Sequence, residues 1–220
     1  MPEVVTIGET MVLFSPGQQG YLRYVNNFSK KLAGSESNLA IGICRLGHSS
    51  GWISKVATDE FGSFILKEIR GEGVDVSQVK KSPEMQTGIM FKQLHTDKES
   101  RVYYYRNNTA AKLLSKKDLD YNYIANAKIL HLTGITPALS LSCLKTIEKA
   151  ISIAKENDVL ISFDPNIRRK LWKEKEACRV IKGIISSVDI LLPGIEEGKL
   201  LTEKKSPDEI IDSFFDYGVE

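Results

Sequence analysis

Cysteine is scarce. Only Cys44, Cys143 and Cys178 occur in 220 residues, odd in number, far apart and set in apolar or helical patterns. That argues against a disulfide frame and a Cys-x-x-Cys metal knuckle, and it predicts reduced core thiols in a cytoplasmic protein. Long apolar runs are absent and the N-terminus MPEVVTIGETMV carries no basic leader, so neither a membrane span nor a signal peptide is expected. Neither sign of charge prevails. Lys plus Arg number 30 against 28 Asp plus Glu, spread along the chain, which leaves no electrostatic footprint for nucleic acid. His48, His95 and His131 fall singly on an expected loop, an inserted strand and a core strand, so each reads as structural and no Ser-His-Asp grouping can be assembled. No G-x-G-x-x-G follows a strand and no G-x-x-x-x-G-K-[ST] occurs, which weighs against a dehydrogenase and a P-loop enzyme.

What is present is a globular composition, 42% hydrophobic and 26% charged, in a chain long enough to bury a sizeable core; disorder is not expected. Short β-branched runs end in Gly, Asp or Pro: VVTIG at 4–8, GWISKVATD at 51–59, KILHLTG at 128–134, VLISFDPN at 159–166 and VDILLPG at 188–194. These read as buried strands. Between them, Phe61, Ile65 and Ile69 mark one face of a helix over 59–71, and Leu144, Ile147, Ile151 and Ala154 mark one over 139–156. The alternation predicts an α/β fold, a parallel sheet covered by helices on both faces, with ligands beyond the carboxyl ends of the strands. Residues 11–32 and 87–107 break the rhythm. They alternate apolar and polar residues around turn signals at Pro16-Gly17 and Thr96-Asp97-Lys98, and read as hairpin pieces forming a small β lid over the strand ends.

Two stretches suggest a site. In RVYYYRNN, 101–108, strand alternation sends Tyr103 and Tyr105 to one face, to pack, and Tyr104 and Arg106 to the other, to meet something outside; a plain two-faced edge strand is the alternative. In LAGSESNLAIG, 32–42, Gly34, Ser35 and Ser37 precede a helix whose first turn carries Asn38. A helix start offers unpaired N–H groups, and glycine allows close approach. The same residues also read as a simple capped helix with Ser35 as N-cap.

Six motifs, IGETMVLFSP, AGSESNLAIGICRLG, GVDVSQV followed by Thr87-Gly88, YYYRNNTAA, SFDPNIRRKLW and ILLPGIEEGKLL, occur in the order and spacing of the ribokinase-like sugar kinases, the phosphofructokinase-B superfamily. Residues 1–220 thus resemble one such kinase domain, most closely 2-keto-3-deoxygluconate kinases, with a three-layer α/β core and an inserted lid. The resemblance implies an enzyme that uses ATP and Mg2+ to phosphorylate a sugar acid, with a related sugar such as fructose, or a sugar-acid-binding module without turnover, as alternatives. It implies that Gly34, Ser35, Glu36, Ser37 and Asn38 line the sugar-acid site, that Met90, Tyr104, Tyr105 and Arg106 reach it from the lid, and that Arg168 approaches from a strand end. Asn166, Arg168 and Gly194 fall to the nucleotide, and Glu197 to an indirect part in holding magnesium. Gly194 stands where many members have Asn, and Met90 where some have a substrate-contacting Tyr. A guanidinium pairs bidentately with a carboxylate, which suits Arg106 and Arg168 to a sugar acid. No aspartate falls between Gly8 and Pro16, where kinases of neutral sugars carry one. The family's Gly-Ala-Gly-Asp motif, source of its general base, does not occur here. By resemblance it lies beyond residue 220, so that no catalytic base is expected in this chain, which alone would be marginally folded and inactive. The lid further suggests a homodimer.

Overall fold

Residues 1–94 and 100–219 are described by a computed structural model; His95 and the turn signal at Thr96-Asp97-Lys98 lie outside them. The strands and helices, in chain order, are β1 (Val4–Ile7), β2 (Met11–Pro16), β3 (Phe28–Ala33), α1 (Ser35–Arg45), β4 (Ser50–Ala57), α2 (Glu60–Gly71), β5 (Val79–Ser82), β6 (Ile89–Leu94), β7 (Ser100–Tyr105), α3 (Tyr121–Ala125), β8 (Ile129–Thr133), α4 (Leu141–Glu156), β9 (Leu160–Asp164), α5 (Glu174–Ile185), β10 (Ile190–Leu191), α6 (Ile195–Thr202) and α7 (Pro207–Phe215).

Six strands form the main sheet in the order β10-β9-β8-β1-β4-β5, every neighbouring pair parallel. Parallel strands are buried on both faces, and alternation divides the side chains between two layers. Val5, Ile7, Ile53, Leu130, Leu132, Ile161 and Phe163 point to one side, where Ile147, Ala150 and Ile151 of α4 and Val180, Ile181 and Ile184 of α5 close the larger core. Trp52 and Val56 point to the other, against Ala40 of α1 and Ile65 and Ile69 of α2. α4 starts where the Ser140 hydroxyl accepts the Cys143 amide at 3.1 Å, the N-cap bond that satisfies an otherwise orphaned donor. α1 stops before Gly47, whose φ of +89° is open to glycine at little cost.

The strands β2, β3, β6 and β7 pair into a second sheet, in the order β3-β2-β6-β7. Its hairpins are antiparallel, and they join through the parallel pair β2–β6. One face carries Val12, Phe14, Ile89, Phe91, Tyr103 and Tyr105. Phe14 stacks on Phe91 at 4.9 Å and meets Phe61 of α2 edge-on at 5.7 Å, so that side is anchored to the core helix. The expected packing of Tyr103 and Tyr105 does not extend to the end of the face. They remain 42% and 63% exposed because α2 reaches only the β2 side.

Three further expectations are corrected. The run 188–194 gives a two-residue edge strand paired to β9 alone, and Ile190 is exposed, because an edge position has one neighbour. Ser35 is the first residue of α1 and Gly34 is its N-cap. Of the thiols, all free, only Cys143 is buried. His131 is buried, its Nδ1 3.0 Å from the Ser162 hydroxyl, and desolvation pushes its pKa down to about 4. Among the described residues no helix is long and apolar enough to cross a membrane.

Candidate functional site

β1 lies between β8 and β4 in the main sheet, so the chain leaves its carboxyl end toward one side first and the other later, and the crevice above such a point is where open α/β sheets take ligands. A cleft of about 1140 Å³ opens there, between the strand ends and the inner face of the second sheet. Its wall on the second sheet is Met11, Ala33, Met90, Val102, Tyr104 and Arg106; its floor is Gly34, Ser35 and Asn38 at the start of α1; Ile135, Ala138 and Leu139 follow β8, and Ile167 to Leu171 follow β9.

Of the residues expected to contact a sugar acid, Gly34, Ser35, Asn38, Met90, Tyr104, Arg106 and Arg168 line this cleft. Gly34 is there for space. A Cβ would stand 2.5 Å from the Thr10 hydroxyl and 2.8 Å from the Glu9 carbonyl, too close for any side chain. Glu36, Ser37 and Tyr105 are corrections. Glu36 and Ser37 are both fully buried, on the inner side of α1 one helical step from the cleft-facing residues. The Ser37 hydroxyl accepts from Thr10 at 2.7 Å and donates to the Gly34 carbonyl at 3.3 Å. Glu36 Oε1 accepts the hydroxyls of Thr133 at 2.7 Å and Thr136 at 2.8 Å, tying α1 to the end of β8, while its Oε2 is buried without a partner. Burial pushes this carboxyl above the usual glutamate range, the threonine bonds oppose the shift, and the nearby Glu9 charge adds to it. Tyr105 points to the opposite face of the sheet, beside Phe91.

The cations of the cleft differ in how they are engaged. Arg106, 11% exposed, forms an ion pair through Nη2 with Glu9, 2% exposed. Lys170 donates to the Val102 carbonyl at 3.3 Å and stands 5.1 Å from the Tyr104 ring centroid, linking the loop after β9 to the second sheet. Arg169 pairs with Glu174 at 3.2 Å. Arg168 is exposed at the mouth.

Asn166, Gly194 and Glu197 do not line the cleft; hydrogen bonds tie them to Ser35 and Ile167, which do. Asn166 adopts a left-handed φ of +38°; its amide nitrogen donates to Asp164 at 2.8 Å and to the Ser35 hydroxyl at 3.1 Å. Glu197 accepts the Ile167 amide at 2.7 Å and the Gly194 amide at 3.0 Å, bracing the loop after β9 against the start of α6. Each of its oxygens accepts one backbone amide, and among the described residues no three His, Cys, Asp or Glu side chains cluster to hold a metal.

Sequence reasoning passed over Glu9, the buried carboxylate among the described residues that line the cleft. It stands two residues beyond β1, accepts the Thr109 hydroxyl at 2.7 Å and holds Arg106. The available signal was its position, a polar residue at the carboxyl end of a central parallel strand.

The sequence pattern of the pfkB family carbohydrate kinases matches residues 1–218. The chain is 41% identical over 218 residues to the 2-dehydro-3-deoxygluconokinase of Bacillus subtilis, an alignment covering 98% of this chain and 67% of the relative; it thus spans about two thirds of that relative's length. Among solved structures, a PfkB protein from Polaromonas sp. JS666 superposes with a TM-score of 0.96 at 34% identity, covering 100% of this chain and 74% of that one. An E. coli protein described as a candidate Ribokinase II, in complex with ATP and Mg2+, superposes with a TM-score of 0.91 at 26% identity, covering 100% and 71%.

Proposed function

The chain belongs to the pfkB family of carbohydrate kinases, and from that membership we propose that it serves the ATP-dependent phosphorylation of a sugar acid, 2-keto-3-deoxygluconate, to its 6-phosphate. The observation that carries this reading is the lining of the cleft, where Arg168, exposed at the mouth, faces the same space as Tyr104 and Arg106. A carboxylate entering there meets a guanidinium suited to it, through charge-assisted bonds each contributing about 1.5–3 kcal/mol. Gly34 lets the sugar approach the backbone, and the Tyr104 phenol supplies a hydrogen bond to a hydroxyl or keto oxygen. The relative bound to ATP and Mg2+ supports both as cofactors, with Asn166 and Gly194 on the nucleotide side and Glu197 bracing them. ATP supplies the transferred phosphoryl group and magnesium offsets its charge. Among the described residues no three His, Cys, Asp or Glu side chains assemble to hold the ion. We assign the general base to no residue of this chain, and for that reason binding without turnover is the second reading. The setting proposed is the cytoplasm, and the partner a second copy docked through the second sheet.

Calorimetric titration with 2-keto-3-deoxygluconate and with its methyl ester tests the substrate class without requiring turnover. Arg168→Ala is expected to weaken the acid by about tenfold to a hundredfold while barely moving the ester. Equal losses for both would remove the carboxylate assignment. A coupled assay with ATP then separates kinase from binding module.

A further inference from the structure

Arg106 and Arg168 line one cleft, yet they do not present the same charge to it. Glu9 follows Gly8 at the end of β1, with its side chain 2% exposed. Its Oε2 pairs with Arg106 and its Oε1 accepts the Thr109 hydroxyl at 2.7 Å, so both oxygens are held by residues that follow β7. The fit is close: a Cβ on Gly88 would come within 3.2 Å of Oε1. Arg106, itself 11% exposed, keeps its Nε buried without a partner. The guanidinium is therefore oriented and electrically offset by a carboxylate of the chain, and still has donors to give. Arg168 is exposed and enters into none of the ion pairs of the cleft.

Bringing a ligand carboxylate onto Arg106 would place a second anion beside Glu9 across one cation, in a site where water screens little. Bringing a hydroxyl or keto oxygen there raises no such conflict and engages the cleft-facing side of a guanidinium that Glu9 already offsets. We infer that Glu9 is a positioning residue that sets the specificity of the cleft: it holds Arg106 as a donor to the uncharged oxygens of the sugar and leaves the ligand's carboxylate to Arg168. This rests on the sugar-acid reading above and divides between the two arginines a task that the family resemblance and guanidinium chemistry gave to both.

The test compares binding of 2-keto-3-deoxygluconate and its methyl ester to the 220-residue chain and to Arg106→Gln, Arg168→Gln and Glu9→Gln. Arg106→Gln is expected to weaken acid and ester by the same factor, and Arg168→Gln to weaken the acid selectively. Glu9→Gln, which keeps the shape and removes the charge, is expected to raise the preference for acid over ester on the order of tenfold, the scale of one charge-assisted bond. A selective loss of the acid in Arg106→Gln overturns the inference while leaving the sugar-acid reading intact, and so does a Glu9→Gln protein whose affinities for acid and ester move together. If Glu9→Gln does not fold, the Arg106→Gln comparison decides. Wild-type protein that binds neither ligand overturns both.

Discussion

Glu36 shows what one residue under the cleft contributes. Its carboxyl is buried with one oxygen bonded twice and the other not at all, and burial raises its pKa. The folded chain therefore holds this proton more tightly than the unfolded chain does. That preference favours folding fully at pH below the ordinary glutamate value, and it is lost as pH rises through the folded value. Glu36→Gln mimics the protonated form and keeps an acceptor for Thr133 and Thr136. It is expected to match wild type in acid and to melt higher at neutral and alkaline pH, by roughly 2–4 °C for each kcal/mol recovered in a chain of this size. Thermal melts across pH 4 to 8, an interval of about four units chosen to cross the glutamate range, check this; a constant difference between the two proteins would show that charge is not the cause. Gly8 is part of the same fit, since a Cβ there would stand 2.2 Å from Glu36 Cδ. Gly8→Ala must push the carboxyl aside, and is expected to destabilise by about 1–3 kcal/mol, as overpacking does.

Among the elements, α2 is where the core and the second sheet are joined. Asp59 caps it, accepting the Gly62 amide at 2.7 Å, and also takes the Thr87 hydroxyl at 2.6 Å and amide at 2.9 Å, so one carboxylate fixes a helix start and the approach to β6. Burial works against its charge, but the Thr87 and Gly62 bonds outweigh that and hold its pKa below the usual aspartate range. Here the sign is the ordinary one: the stabilisation is present above the unfolded aspartate value and is lost as pH falls through the folded one. Asp59→Ala is expected to cost about 1–2 kcal/mol at neutral pH, with the difference in melting temperature shrinking toward acid. This helix was legible from Phe61, Ile65 and Ile69, as were the central strands, because a face buried by a local period writes that period into the sequence. The inner and outer sides of α1 were legible too, since positions 36, 37 and 40 fall together away from 34, 35 and 38, whereas a contiguous motif does not separate the two sides. What was not legible is long-range. The parallel β2–β6 pair, and the contacts of Glu9 with residues 97 and 100 positions away, depend on which segments meet in space. The exposure of β10 likewise depends on how many neighbours a strand has, and an apolar run cannot state that.

At the scale of the whole molecule, two apolar surfaces remain open, and they call for different partners. The outer face of the second sheet carries exposed Tyr103 and Tyr105 around a hollow that Tyr21 and Phe91 also line. Aromatic rings with polar tips suit a discrete interface, and this is the surface proposed for a homodimer. The flank of the main sheet differs. Leu160 is 46% exposed, Ile190 37% and Leu192 51%; register places Ile190 opposite Ser162, so that all three project to the side of the sheet on which α1 covers β1, β4 and β8. Among the described residues β10 has no partner on its other edge, and a bare edge beside an apolar face is a template for open-ended association. The 220-residue chain is therefore expected to show two superimposed behaviours in light scattering: a saturating species of twice the chain mass and, at higher concentration, a growing one. Ile190→Lys places a charge on the open edge and is expected to suppress the second while sparing the first; Tyr105→Lys is expected to do the reverse. If Ile190→Lys leaves the growing species unchanged, the flank does not drive it. A chain that stays monomeric at micromolar concentration removes the dimer as well.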